Sequence, residues 1–346
     1  TPVGTLQVGP QSSSAVPGPA CYGQGGTDPT VSDADLLLGY LDPEHFLGGR
    51  MKLDRAAAER AVKAALADPL GIAVDEAAFG VHAIVNENMA SAAKAYASEK
   101  GENPRSCALV AFGGAGPVHA CDLAARLGIR TVLIPPRAGV AAAFGMIVAP
   151  VTYEAVRSRR TLLSALTPGV LEEVREEMRA ECAQRLPRTV DPAGIAWEFS
   201  VDMRYLGQGY DVNAVLPEGG AHADAVAALR AAFEASYRKL YGRTFSGAPL
   251  EAMSFRLTAS AHRQVAQVTG ISPDARGDGR VGTRRAFCPR ARAWVDFAVH
   301  RRAAIAPGVP FPGPAIVEEN ESTTVIPGGA RARVDEHGSL IVELAE

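Results

Sequence analysis

A multidomain chain of mixed α/β and α+β class is predicted by three features of the sequence. Residues 109–129, LVAFGGAGPVHACDLAARLGI, pass from an apolar run through Gly113, Gly114 and Gly116 into an amphipathic segment closed by Gly128. That is the pattern of strand, glycine turn and helix. Residues from 151 to about 262 read in the order β-α-β-β-α-β, that of ferredoxin-like α+β domains. From about 270 onward, short β-type runs such as ARAWVDFAVH, GPAIVEEN and STTVIP alternate with Pro/Gly turns, the spacing of a small β-rich domain. At 346 residues the chain exceeds what one core can hold, so the expected divisions are 1–150, 151–265 and 266–346.

The first 30 residues are rich in Gly, Pro and Ser and read as loop. SDADLLLGYL then offers Ser32 as N-cap with Asp35 three residues on, a capping box opening a short helix. Asp54 caps a second helix through RAAAERAVKAALADP, stopped by Pro69 and Gly71. A longer helix fits 75–99, where Phe79, Ala83, Met89, Ala92 and Tyr96 keep an apolar face and Gly101 suits the C′ position. A strand at 107–112, the glycine turn, a helix at 117–127 and the strand TVLIPP follow, and then the small-residue helix GVAAAFGMIVA. VTYEAVRSRRTL, AWEFSVDMRYLG, GYDVNAVLP and LEAMSFRLTASAH are the strands of the second region. GVLEEVREEMRAECAQRL and AHADAVAALRAAFEASYRKLYG are its helices.

Composition excludes several classes. Hydrophobic content of 47% with 21% charge is that of a globular chain, and a net charge of -3 without a dense Lys/Arg run argues against a nucleic-acid surface. No apolar stretch approaches the roughly 20 residues that span a bilayer, so no membrane partner is expected. The start has neither a basic segment nor an apolar one of signal-peptide type; it reads as the middle of something longer. Five scattered cysteines without a CxxC pair point to reduced thiols and a cytoplasmic setting. The seven histidines form no HxH or HExxH, so no metal site is read from local spacing.

The glycine turn admits several readings. A dinucleotide fold wants an acidic residue at the end of the next strand, about 20 positions on; here stand Pro135, Pro136 and Arg137. A P-loop fails because no Gly-Lys-Ser/Thr follows. A purely structural βα turn remains open. Asn86, Glu87 and Asn88 interrupt the apolar face of the long helix, and either Asn86 or Glu87 contacts a base or ribose, or the trio bonds to neighbouring groups and solvent. Cys21 sits in a glycine-flanked loop as a conceivable thiol nucleophile, Asp33 is a metal or substrate candidate or only a first-turn acid, and His119 reads as a packing residue. Arg204, Tyr205, Gln208 and Tyr210 shape a hairpin, with a partner or substrate contact the lesser reading.

Four long motifs carry a resemblance. They are GPACYGQGGTDPTVSDADLLLGYLDPEHFLGGRMKLD, VNENMASAAKAYASEKGENPRSCALVAFGGAGPVHACDLAARLGIRTVLIPPRAGVAAAFG, DMRYLGQGYDV and GPAIVEENESTTVIPGG. In this order they resemble the hydantoinase A/5-oxoprolinase family along nearly the whole chain. The resemblance implies an actin/hexokinase/Hsp70-like ATPase, with residues 1–150 the adenosine side of its second lobe. It implies ATP with Mg²⁺ as cofactor and phosphorylation of a lactam, amide or ketone oxygen. Hydrolysis of a cyclic amide of hydantoin or 5-oxoproline type is then the expected reaction; carboxylation of a ketone and a non-catalytic docking module are the alternatives. Gly113, Gly114, Ala115 and Gly116 fall on the family's adenosine-side turn, and Asn86 and Glu87 are candidate nucleoside contacts. Bare backbone and free helix N–H groups suit that role. The catalytic residues stay unassigned, Asp33 being the one candidate, and no metal ligand is assigned. The Asp-Gly-Gly-Thr-like phosphate hairpins of the family are missing, the nearest string being GGTDPT inside the PGPACYG motif. The sequence therefore reads as a C-terminal half, inactive alone, whose expected partners are an N-terminal half and a B-type subunit in an oligomer.

Overall fold

The computed structural model describes residues 5–216, 225–261 and 275–345. The chain divides into two units, Thr1–Gly145 with Gln267–Glu346, and Met146–Ala266.

Helix α1, Val31–Leu37, starts one frame earlier than the sequence suggests. Thr30 is its N-cap, and Thr30 with Asp33, rather than Ser32 with Asp35, forms the capping box. TVSDAD contains both frames; Asp35 drops out of the choice because its carboxylate is buried and taken by other partners. Arg55 closes the far end by donating to the carbonyls of Leu36 and Leu37 at 3.0 and 3.1 Å. Asp54 caps α2, Arg55–Val62, as expected. The chain continues through a π turn at Lys63–Ala67 and the short α3, Asp68–Leu70, to left-handed Gly71. The long helix is α4, Val74–Lys100, ended by left-handed Gly101. Strand β1, Leu109–Val110, helix α5, Gly116–Leu127, and strand β2, Thr131–Ile134, follow, with β1 and β2 parallel neighbours as the glycine-turn pattern requires. Helix α6 is Ala141–Val148.

The second unit runs β3 (Val151–Leu162), α7 (Pro168–Arg185), β4 (Ile195–Tyr205), β5 (Val212–Leu216), α8 (Ala225–Tyr241) and β6 (Leu250–Ala261). This is the expected element order, but the strand order, β3-β6-β4-β5, is not that of a ferredoxin-like sheet. There the first and third strands are the central pair; here the second and fourth, β4 and β6, are. Burial explains the choice. β4 and β6 are the strands with the most buried positions, whereas β3 carries Arg157, Arg159 and Arg160 and tolerates an edge. Met178, Phe199, Val201, Met203, Phe233, Phe255 and Leu257 form a core internal to this unit.

The remaining strands are β7 (Asp278–Cys288), β8 (Ala293–Ile305), β9 (Phe311–Pro312), β10 (Ala315–Glu318), β11 (Thr323–Ile326), β12 (Arg331–Val334) and β13 (Leu340–Glu343). The expected β-rich character of this region is present; its separation as a domain of residues 266–346 is corrected. β13 pairs with β2, giving the mixed sheet β1-β2-β13-β12-β9, and β11-β10-β8-β7 makes a second sheet in the same unit. A two-stranded parallel pair cannot bury its faces alone, so β1 and β2 recruit strands from the far end of the sequence. The boundary expected at 265/266 lies outside the described residues. Helix α5 serves both resulting cores: Val118 packs with Leu36, Tyr40 and Phe297, while Ala120, Cys121, Ala124 and Leu127 pack with Val132, Phe311 and Leu340. Buried Arg302 on β8 donates to the carbonyls of Ile134 and Gly338 at 2.9 and 2.7 Å. Among the described residues no helix is long and apolar enough to cross a membrane.

Candidate functional site

The glycine turn hangs between β1 and α5. Gly113 takes φ +92°, a conformation that favours glycine, and donates its N–H to the carbonyl of Ala138 at 2.8 Å. Gly114 lies outside the left-handed region, and a Cβ there would sit 3.5 Å from the carbonyl oxygen of Glu321, an ordinary contact. A Cβ on Gly116 would meet nothing within 4 Å. Ala115, the N-cap of α5, has no side chain to satisfy the first N–H groups of that helix. Gly114 and Ala115 therefore expose backbone and a positive helix end to a cavity of about 270 Å³, whose other walls include Asp35, Asp42, Phe46 and Glu319.

Asp42, Glu318 and Glu319 of that cavity are already engaged. Arg284 donates to both Asp42 and Glu318 at 2.7 Å, and Glu319 accepts from the backbone of Arg137 at 3.1 Å and from Ser322 at 2.8 Å. These residues do not fit a magnesium site, and no step is assigned to an ion held by them.

The sequence candidates separate. Asp33, proposed as catalytic, is fully buried and accepts hydrogen bonds from the backbone of Ala20, Cys21 and Thr30 and from the Thr30 hydroxyl, at 2.7–3.2 Å. These four bonds tie the PGPACYG loop to α1, and that anchoring is the role the hydrogen bonds of Asp33 describe. Cys21 is buried against it, and burial, reinforced by the Asp33 charge, pushes its thiol far above the usual range, which removes a nucleophile. Asn86 and Glu87 do not join the glycine turn at its cavity. Asn86 donates to Asp122 at 2.6 Å and Glu87 pairs with Arg126 at 2.7 Å, both bridging α4 to α5.

Sequence reasoning missed a third partner pair on these helices. The rings of His82 on α4 and His119 on α5 stack 4.7 Å apart, and both reach Asp35 on α1, His82 Nδ1 at 2.9 Å and His119 Nε2 at 3.3 Å. The partners 82/119, 86/122 and 87/126 rise together, so α4 and α5 run the same way along one polar ladder. Asp35, His82 and His119 are each at least nine-tenths buried. Burial by itself would raise the Asp35 carboxyl, but hydrogen bonds from His119 and His82 outweigh it and hold the group below its ordinary range. An ionised carboxylate only accepts, so His82 presents Nδ1–H and His119 presents Nε2–H, leaving His119 Nδ1 buried without a hydrogen-bond partner among the described residues. His119 is thus no mere packing residue. The available signal was a polar side chain on an apolar helix face, at His82 as at Asn86; no local spacing links positions so far apart.

The hydantoinase/oxoprolinase family model matches residues 2–155, and the hydantoinase/oxoprolinase C-terminal domain model matches residues 165–345. Caprolactamase subunit alpha of Pseudomonas jessenii is 32% identical, with 96% of this chain and 49% of that protein covered. Acetophenone carboxylase gamma subunit of Aromatoleum aromaticum is 33% identical, with 98% and 48% covered. Of solved structures, the ATP-dependent caprolactamase from Pseudomonas jessenii has a TM-score of 0.74 at 30% identity, covering 99% of this chain and 50% of that one. The chain spans about half the length of the curated relatives it matches.

Proposed function

The chain belongs to the hydantoinase/oxoprolinase family, and on that premise we propose that it is the nucleotide-facing part of an ATP-dependent enzyme that hydrolyses a cyclic amide. The observation that carries the proposal is the 30% identity to an ATP-dependent caprolactamase over 99% of the chain. The open backbone of Gly114 and Ala115 on a cavity of about 270 Å³ supports it at the residue level. In this reading the first unit is part of an actin-like ATPase lobe, and Gly113–Gly116 lie along the nucleoside. Asn86 and Glu87, turned to α5, act on the nucleotide only through the helix they hold.

The chemistry asks for charge and position more than for side-chain reactivity. The lactam oxygen attacks the γ-phosphorus and ADP departs. The resulting imidoyl phosphate, formed with loss of the lactam N–H proton, adds a water at carbon. Collapse breaks the ring C–N bond, with a proton going to nitrogen, and leaves an acyl phosphate, which a second water hydrolyses to the amino acid and inorganic phosphate. Positive helix ends and backbone N–H groups, as at α5, are suited to polar atoms of the nucleotide. The engaged carboxylates of the cavity leave Mg²⁺ and phosphate ligands to the rest of the protein, whose N-terminal half and a B-type subunit are the partners we propose. Relatives carrying the names subunit alpha and gamma subunit favour such an assembly.

Ketone carboxylation is the second reading, favoured by 33% identity to an acetophenone carboxylase subunit. Assaying ADP release by the complete enzyme with caprolactam, hydantoin and 5-oxoproline, and separately with acetophenone and bicarbonate, decides between them. Lactam-dependent ADP and amino-acid formation is expected. Ketone- and bicarbonate-dependent turnover would replace the hydrolase reading, and no nucleotide binding at millimolar ADP would leave a docking module.

A further inference from the structure

We propose that Asp35, His82 and His119 form a binding site for one divalent transition-metal ion of the zinc–cobalt type. One donor atom from each residue lies within 4.8 Å of the other two, and all three side chains are buried. Ligand atoms on a tetrahedral ion with bonds of about 2.0–2.2 Å are separated by roughly 3.3–3.6 Å. His119 Nε2 lies 3.3 Å from Asp35 Oδ2, within that range, and His82 Nδ1 lies 2.9 Å from Asp35 Oδ1, a hydrogen-bond separation that opens by a few tenths of an ångström when an ion replaces the protons.

The two imidazoles present Nδ1 of His82 and Nε2 of His119 to the one carboxylate, so the three donors already face one another. Two imidazoles with one carboxylate favour a borderline ion over Mg²⁺ or Ca²⁺, which prefer oxygen. Three protein ligands leave a coordination position for water or an oxygen of another molecule. Entry is provided on two sides. His82 lines a cavity of about 560 Å³ with Tyr40, Cys121 and Phe297, and Asp35 lines the cavity of the glycine turn. The three helices that supply the ligands pack around one core, so the site is held by α1, α4 and α5 together. The proposal does not depend on the amidase reading, because it concerns metal affinity and not turnover.

The test is titration of Co²⁺ into the chelator-stripped chain, followed by visible ligand-field absorption and calorimetry. Wild-type protein is expected to bind one ion per chain in this site, and His82→Asn and His119→Asn each to weaken binding by about tenfold or more. Cys107→Ser, at an exposed thiol away from the three ligands, is expected to bind as wild type. X-ray absorption of the wild-type cobalt protein is expected to contain two imidazoles in the coordination sphere. That measurement needs no variant and holds even if a histidine change prevents folding. Absence of saturable Co²⁺ binding by folded wild-type protein, undiminished binding in both folded histidine variants, or a coordination sphere without two imidazoles would each overturn the assignment.

Discussion

At Gly113 the backbone sits at φ +92°, while its neighbour Gly114 lies outside the left-handed region, so the two glycines answer substitution differently. Gly113→Ala should cost about 1 kcal/mol or more through backbone strain, and Gly114→Ala should melt like wild type. Gly139 is the tightest of the neighbouring positions: a Cβ there would lie 2.3 Å from the carbonyl oxygen of Glu321, so Gly139→Ala must displace the loop that walls the glycine-turn cavity. Asp33→Asn replaces a buried acceptor of four hydrogen bonds by a group that is half donor. Thermal denaturation should place this variant about 2 kcal/mol or more below wild type. A fully stable Asp33→Asn protein with lost turnover would support the catalytic reading of that residue.

At the scale of elements, helices with continuous periodicity and local stop signals were legible in the sequence. Asp54, Gly71 and Gly101 end or begin their helices as their residue types demand, and β1, α5 and β2 follow the strand–glycine–helix pattern. Overlapping Thr-x-x-Asp and Ser-x-x-Asp frames hid the true cap of α1, because only tertiary contacts reveal that Asp35 belongs to His82 and His119. Element order could not fix the strand order of the second unit, where burial of β4 and β6 decides. There Glu251 on β6 joins Arg160 of β3 and Arg204 of β4 at 2.6 and 2.8 Å, and those hydrogen bonds hold its carboxyl below the ordinary glutamate range. A depressed pKa stabilises the fold above the unfolded value of about 4.3 and is lost as pH falls through the lower folded value. Melts of this unit between neutral and acid pH should therefore decline in that window, and Glu251→Gln should flatten the decline while lowering the neutral-pH melt. An unchanged pH slope in the variant would assign the acid sensitivity elsewhere.

Across the whole molecule, the property least visible in the sequence is that the N-terminal and C-terminal regions share one mixed sheet and two cores. Pairing of β2 with β13 joins segments with no local signal for one another. A chain ending at residue 261 should consequently lose the cooperative melt of the first unit, whereas residues 146–261, which have their own core, should fold when expressed alone. On the proposed function, the 346-residue chain alone, which spans about half the length of the curated relatives it matches, should show no lactam-dependent ATPase, and adding the proposed N-terminal half and B-type subunit should restore it. The claim on which the functional account rests is that the turn after β1 cradles a nucleoside. Calorimetric titration of ADP into the complete enzyme, as wild type and as Gly114→Val, tests it most directly. The account predicts saturable binding to wild type and affinity weakened about tenfold or more, roughly 1.4 kcal/mol, in a variant whose melt stays native. Equal affinity in a natively folded Gly114→Val enzyme would contradict it.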